Sequence, residues 1–412
     1  MIVGRPSDAS GAPVATGGAL RTDTLMVGAG PQALTVLARW LCDRPSGVQD
    51  IVVVDPSGSW LHAWHRAFDR QRIDVLRSPG VHHPDPDEMA FIRAHRCGSR
   101  TDGRVGSAAS GPLQRPTTVS FREFCRDLLE RTGLSERVLP AAVVRVERVV
   151  RASRGARWEA QLSNGMTIEA RQVVWAGNPR IPRTPRGVTC GETVVHANDV
   201  DLESVRPGQR IAVLGGGQTA GQLALEATRR GAVVSLINRG PQRIADLDVD
   251  AGWLMDDHLG PFRAITDPVE RRRVVEEAQH GSMTDDLAHA LALASVCRLD
   301  DAGDMTIRPT ATGATVGFAG IECDVDLVWS ATGSVPDLRA APALAALAAG
   351  GAPHVDGWPV LSDTLEWLDG LFVVGALAAL TLGPAAGNLA GARAAADVLA
   401  GCGPQGCLSR GR

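Results

Sequence analysis

The stretch Asp23-Thr-Leu-Met-Val-Gly-Ala-Gly-Pro-Gln-Ala-Leu34 decides the fold. A short apolar run meets a glycine cluster and passes into a helical pattern reaching Trp40, and a second apolar run, Ile51-Val-Val-Val-Asp55, follows. This order predicts a strand, a tight turn, a helix and a second strand. Gly28, Gly30 and Ala33 have the spacing G-x-G-x-x-A. Glycine at the first two positions lets the backbone bend and approach a pyrophosphate, the small Ala33 lets helix and strand pack closely, and the helix N-terminus supplies N–H groups and positive potential. Asp55, ending the second strand, has the place and charge to accept hydrogen bonds from ribose hydroxyls.

The same grammar returns in Arg210-Ile-Ala-Val-Leu-Gly-Gly-Gly-Gln-Thr-Ala220, with a helix through Arg230, Gly231 as its stop, and the strand Ala232-Val-Val-Ser-Leu-Ile237. Gly215, Gly217 and Ala220 repeat the spacing, with Gln218 and Thr219 opening the helix. Here the second strand ends in Asn238, followed by Arg239 and later Arg243. The acid that would repel a 2′-phosphate is missing and cations stand in its place, so NADPH is expected over NADH.

Between the two units, Ser120-Phe-Arg-Glu123 reads as a capping box opening a helix to about Arg131. Apolar runs at residues 142–150, 158–162 and 167–170, with Ser163-Asn-Gly165 as a turn, read as a β-meander, and the strand Gln172 to Trp175 follows. After the second unit, 267–294 is expected to be mainly helical, 326–333 and 371–375 to be strands, and about 386–400 a long Ala-rich helix. The expected architecture is α/β: two dinucleotide-binding, Rossmann-like domains, one inserted into the other, with a β-meander. The division is a disordered leader at 1–20, a first domain at 21–188 and 325–402, a second at 189–324 and a tail at 403–412.

Composition narrows the function. The chain has 412 residues and a formal net charge of −4, which leaves no basic field for nucleic acid or an anionic membrane. All 42 basic residues are arginine, and tyrosine is absent, so chemistry needing a lysine amine or a phenol is excluded. The eight cysteines hold no C-x-x-C pair; only Cys402 and Cys407 have a dithiol-like spacing, in the Gly/Pro-broken tail. No apolar run reaches eighteen residues and the first twenty contain no apolar signal core, so a cytoplasmic protein is expected. Homo-oligomerisation is left open.

Two glycine-rich units in one chain suggest a flavin with a nicotinamide partner. Asp326 to Gly333, with Thr332 and Gly333 after an apolar strand, and Val173-Val-Trp-Ala-Gly-Asn-Pro-Arg-Ile-Pro182 resemble the chain crossings of two-dinucleotide-binding flavoproteins. Gly375 and Gly383-Pro-Ala-Ala-Gly-Asn388 resemble the flavin-facing C-terminal segment of that group. Gly28-x-Gly-Pro31 with Leu34, the Trp64-His65 pair, the second glycine motif and Trp253 to Phe262 resemble the class B flavin monooxygenases, in particular the N-hydroxylating, ornithine and lysine N-monooxygenase-like branch.

The resemblance spans about residues 22–400 and implies FAD in the first domain, NADPH on the second, and a flavin hydroperoxide that passes one oxygen from O2 to a small substrate. N-hydroxylation of an amine in secondary metabolism is the expected reaction. C- or S-oxygenation, NADPH oxidation and a redox-sensing flavin protein are the alternatives. The chain departs from the branch in having no lysine to hold a substrate carboxylate. It also lacks the F-x-G-x-x-x-H-x-x-x-Y/F fingerprint of related enzymes, since Gly191 and His196 are one residue too far apart and Val200 ends the run.

The candidate pocket residues are Gln32, Trp64, His65, Ser78, Gln218 and Asn388. His82, His83, Asp85 and Asp87 cluster in a Pro-broken loop that reads as a flavin- or substrate-lining segment, and no metal site is expected. Asp246, Asp248 and Asp250 read as a solvated loop or as a source of one carboxylate for a substrate amine. Trp60 and Trp64 could pack on the flavin or serve as core.

Overall fold

The computed structural model describes residues 19–98, 114–151, 155–185 and 190–401. The tail and all but the last two residues of the expected leader lie outside the described residues.

Strand Leu20–Val27 is central to an eight-stranded sheet and pairs in parallel with Ile51–Asp55 on one side and Thr167–Trp175 on the other. Val138–Pro140 extends one edge. Leu371–Val373, from the far end of the chain, extends the other in parallel, and Glu366–Leu368 closes that edge antiparallel. Strands buried on both faces should be continuously apolar, and the last four residues of Leu20–Val27 are all buried.

The meander forms as expected, as Val143–Arg151, Gly155–Leu162 and Thr167–Trp175. Its third strand and the strand expected at 172–175 are one continuous element. The first half pairs antiparallel with Gly155–Leu162, while the whole length runs parallel to Leu20–Val27.

The second sheet has five strands, all parallel: Val296–Leu299, Val233–Ile237, Arg210–Leu214, Leu327–Ser330 and Val194–His196. Leu327–Ser330, assigned by sequence to the flanking C-terminal segment, lies inside this sheet. The Asp326 carboxylate fixes it there, accepting from the Arg210 backbone N–H at 2.8 Å and from its guanidinium at 2.9 Å. An antiparallel three-stranded sheet, Met305–Pro309, Ala314–Phe318 and Ile321–Val325, packs beside it.

The chain passes between the two large sheets twice, and the two passages pair with each other. Arg180–Pro182 and Ser334–Pro336 form an antiparallel ladder, and the half-buried Arg180 guanidinium holds the Ser334 hydroxyl and carbonyl, both at 2.6 Å.

Three elements differ from expectation. Helix Thr118–Arg131 is capped by Thr117, whose hydroxyl accepts from Ser120 N–H at 3.1 Å; the cap therefore lies three residues before the box read at Ser120. The region 267–294 is two helices, Pro268–Ala278 and Asp285–Leu293, parted by a loop containing Gly281. The last helix is Leu389–Ala400, capped by Asn388, after a short 3-10 turn at Pro384–Gly387. It packs on helix Pro31–Asp43, to which Arg39 ties Asp397 at 3.3 Å. Among the described residues no helix is long and apolar enough to cross a membrane.

Candidate functional site

At the first glycine loop Gly28 has φ +100°, and a Cβ there would stand 2.9 Å from Gly177 N, in the loop leaving the neighbouring strand. The turn is thus closed by backbone against backbone, which no side chain could allow. Ala29 is held from both sides: its N–H donates to Asp55 Oδ2 at 3.1 Å, and its carbonyl accepts from Leu61 N–H at 2.8 Å. The Asp55 carboxylate also accepts from the Ser57 N–H at 2.9 Å and hydroxyl at 2.5 Å. Gly30, by contrast, has open space where a Cβ would go. Pro31 opens the helix and Ala33 is fully buried beneath it.

The second loop is built alike. Gly215 has φ +134°, and its missing Cβ would overlap the Ala331 carbonyl in the adjacent strand's exit. Gly216 lies under the Asn238 side chain, Gly217 faces Gly281, and Ala220 is fully buried. Gln218 bonds across to the next helix pair, its carbonyl accepting from Thr284 N–H at 2.9 Å. Thr219 follows half-buried in the first turn. Arg239 and Arg243 are exposed at the strand's end, and among the described residues neither guanidinium has an ion pair or hydrogen bond. Burial and the nearby Arg243 charge hold His280 below the usual histidine range.

The two helices that follow these loops share one property. Neither Pro31–Asp43 nor Gln218–Arg229 has a side-chain cap or an acidic residue in its first turn. Thr117, Asp267 and Asn388 cap other helices, and Asp285 and Asp286 open another, but His62–Arg70 and Pro342–Ala349 also start without cap or acid, so what sets the first two apart is the glycine turn in front of them. Free first-turn N–H groups at the positive end of a helix are donors for an anion.

The C-terminal segment reaches the first loop through Gln32. Its amide Nε2 donates to the carbonyls of Ala386 at 3.3 Å and Asn388 at 3.2 Å, while its buried Oε1 has no partner. Gly375, with φ +77°, lies against the Gln32 side chain. Asn388 caps the last helix through Oδ1, which accepts from Gly391 N–H at 2.9 Å, so its amide group points the other way, to Asp248 at 3.4 Å.

Around that contact is a cavity of about 140 Å³. Arg77, Ser78 and His82 form one wall, Leu247 to Val249 and Leu254 another, and Asn388 a third. Burial and the charge of Arg393 hold His82 below the usual histidine range, so its ring is neutral near pH 7. Arg77 was not singled out from the sequence, yet it fastens two walls together. Its guanidinium donates to the carbonyls of Ala245 at 2.9 Å, Asp246 at 3.1 Å, Ser282 at 3.1 Å and Leu247, and to the Ser282 hydroxyl at 2.7 Å.

Of the six expected pocket residues, Ser78 and Asn388 meet at this cavity, and Gln32 supports it from beneath. Trp64 instead packs on Phe68 and Phe121 at ring separations of 5.0 and 5.3 Å. His65 lines a separate, larger hollow with Leu61, Arg122 and Leu129. Trp60 is core, its indole N–H donating to the Leu134 carbonyl at 2.7 Å. Thr332 and Gly333 lie at the chain crossing: the Thr332 hydroxyl donates to the Arg183 carbonyl, and the Gly333 carbonyl accepts from Arg183 N–H at 2.9 Å.

His83 is turned away from its neighbour, fully buried, with Nε2 against the Glu88 carbonyl at 3.1 Å and its ring edge-on to Phe124. Asp85 is likewise occupied, binding Arg131 at 2.8 Å. Among the described residues no three His, Cys, Asp or Glu side chains are grouped to hold a metal, and Cys42, Cys125, Cys190, Cys297 and Cys323 are free thiols.

No protein-family model and no curated protein matches the sequence. Solved structures do resemble the chain. The ornithine hydroxylase of Pseudomonas aeruginosa superposes with a TM-score of 0.71 at 16% identity, covering 94% of this chain and 100% of its own. The cadaverine monooxygenase of desferrioxamine biosynthesis from Erwinia amylovora, solved bound to FAD, gives 0.71 at 15% identity, covering 92% of this chain and 94% of its own. The L-lysine 6-monooxygenase of Pseudomonas syringae gives 0.70 at 17% identity, covering 92% and 98%. At these identities the kinship is one of architecture: almost end to end, this chain has the α/β fold of those three proteins.

Proposed function

We propose that this protein is an FAD- and NADPH-dependent monooxygenase that N-hydroxylates a small amine. The observation that carries the reading is the pair of glycine loops, each followed by a helix whose first turn is uncapped and free of acid. Two glycine loops that each lead into such a helix start fit two dinucleotides. The likeness of fold to three amine-modifying oxygenases points the same way.

In this reading the segments on either side of the paired crossings form the FAD domain, and the stretch between the crossings forms the NADPH domain. The first-turn N–H groups after Gly30 hold the FAD pyrophosphate, with Asp55 on the ribose; the unpaired Gln32 Oε1 and the start of the helix capped by Asn388 face the flavin ring. Gly215 to Thr219 hold the NADPH pyrophosphate, and the unpartnered Arg239 and Arg243 hold its 2′-phosphate. When bound, the cofactor pair supplies the hydride and the activation of O2 needed to transfer one oxygen atom to a nucleophilic nitrogen. The chain's own work is placement: the apolar wall of Leu247, Val249 and Leu254 limits water in the cavity, and the Asp248 carboxylate orients the amine.

The test is NADPH consumption by the purified, FAD-loaded protein, with hydrogen peroxide quantified, across amines, amino acids and thioethers. One amine should accelerate NADPH use while peroxide falls, giving a hydroxylamine product. NADPH consumed only into peroxide, for every compound, would make the protein an oxidase.

A further inference from the structure

We propose that the cavity accepts an aliphatic amine that bears no carboxylate, and that Asp248 is the residue that reads the ammonium group; this rests on the N-hydroxylation reading above. The argument is an inventory of the charges around the cavity and of what each has left to offer.

Among the described residues that line the cavity Arg77 is the one cation, and four of its five N–H donors are spent on the carbonyls of residues 245–247 and on Ser282. A substrate carboxylate is held best by two parallel N–H groups of one guanidinium, and Arg77 has at most one, on Nη1. Freeing a second would break the bonds that hold the two walls together. The two cations behind it are committed as well. Arg393 donates to the carbonyls of His83, Asp85 and Pro86 and pairs with Glu88 at 3.5 Å, while Arg115 pairs with Asp286 at 2.9 Å. His82 is neutral, and the chain has no lysine to stand in.

The balance on the acid side is the opposite. Asp248 accepts one hydrogen bond, the long one from Asn388 at 3.4 Å, and has no ion pair among the described residues, although it lies in the field of the Arg77 charge. Exposed and lining the cavity, its carboxylate keeps acceptor positions open. Asn388 and Ser78 add neutral hydrogen-bonding groups, and Leu247, Val249 and Leu254 add an apolar surface suited to methylene groups. A cation with an aliphatic stem is complementary to this lining, whereas an amino acid would bring a carboxylate for which the wall offers no paired donors.

The experiment compares matched probes on the FAD-loaded protein: butylamine and 1,4-diaminobutane against ornithine, and 1,5-diaminopentane against lysine. Binding is read by equilibrium dialysis and turnover by hydroxylamine formation. The amines should bind at least tenfold more tightly than their carboxylated counterparts. Asp248→Asn should weaken amine binding by tenfold or more with an unchanged circular dichroism spectrum, and Asp248→Glu should restore most of it. If the amino acids bind better and are hydroxylated, the inference falls while the N-hydroxylation reading stands. If no probe of either kind binds or is hydroxylated, both fall together. If Asp248→Asn binds amines as well as the parent protein does, the role given to Asp248 is overturned.

Discussion

The two glycine loops are near copies in backbone and opposites at the strand that follows. Each has a positive-φ glycine jammed against a neighbouring strand's exit, and each opens a helix with no side-chain cap. The first unit then ends in Asp55, already engaged with Ala29 and Ser57. The second ends in Asn238, laid over Gly216, with Arg239 and Arg243 beyond it, unpaired among the described residues. In the proposed reading the loop and the strand end carry separate instructions: the loop would serve any pyrophosphate, and the strand end would choose between a bare ribose and a phosphorylated one.

The largest effect that would test this parallel is at Gly215. A β-branched residue there faces both a forbidden φ and the Ala331 carbonyl, so Gly215→Val should cost about 4 kcal/mol, seen as a lower urea midpoint. A variant of ordinary stability would mean that the loop is not locked by backbone contact.

Acid should act on the first unit through His83, which packs between Glu88 and Phe124. Burial lowers its pKa from 6.5 to about 4. The unfolded chain takes up the proton as pH falls below 6.5 and the folded chain does not until about 4, so stability is full above that window and is lost across it, by up to about 3 kcal/mol. Urea titrations at pH 7, 5.5 and 4 should show this slope, and His83→Gln should flatten it.

Next in size is the choice of nucleotide. Arg239→Ala should raise KM for NADPH by about tenfold, roughly 1.4 kcal/mol, and change KM for NADH little. Equal effects on both would remove the 2′-phosphate from this strand end. The smallest change in stability is expected at Gly30, whose φ of −87° any residue adopts and whose Cβ would meet open space. Gly30→Ala should melt within about 1 °C of the parent, a ΔΔG of a few tenths of a kcal/mol, and yet retain less FAD after gel filtration. Full retention would show that nothing approaches the backbone there.

The repeated grammar of apolar run, glycine cluster and helix was legible because every step of it is local: a strand, a turn and a helix start are written in adjacent residues. The meander was legible for the same reason. Where two local signals compete, the sequence alone does not rank them. Thr117 and Ser120 both suit a helix cap, and Thr117 is the one whose hydroxyl takes the first-turn N–H, that of Ser120 at 3.1 Å. The Ala-rich run from Ala386 hid the true start at Leu389, because a cap is a matter of geometry and Asn388 supplies it. The three-stranded sheet from Met305 to Val325 went unread, its strands being short and only partly apolar.

The cavity was the least legible part. Its walls come from residues 77–82, 247–254 and 388, three segments that only the tertiary fold brings together. Each histidine of the His82-His83 pair looks alike in sequence, but one faces the cavity and the other is core. Arg77 gave no signal at all, since an arginine that spends its donors on carbonyls leaves no pattern of paired acids behind it.

The ladder of Arg180–Pro182 with Ser334–Pro336 gives the chain a modular seam. Paired strands stand about 4.8 Å apart, a gap that one or two residues can bridge. The 150-odd residues that leave at Arg183 and return at Gly333 therefore begin and end at one place, where two hydrogen bonds join Arg183 to Thr332 and Gly333, so a change in their number would not stretch the chain on either side.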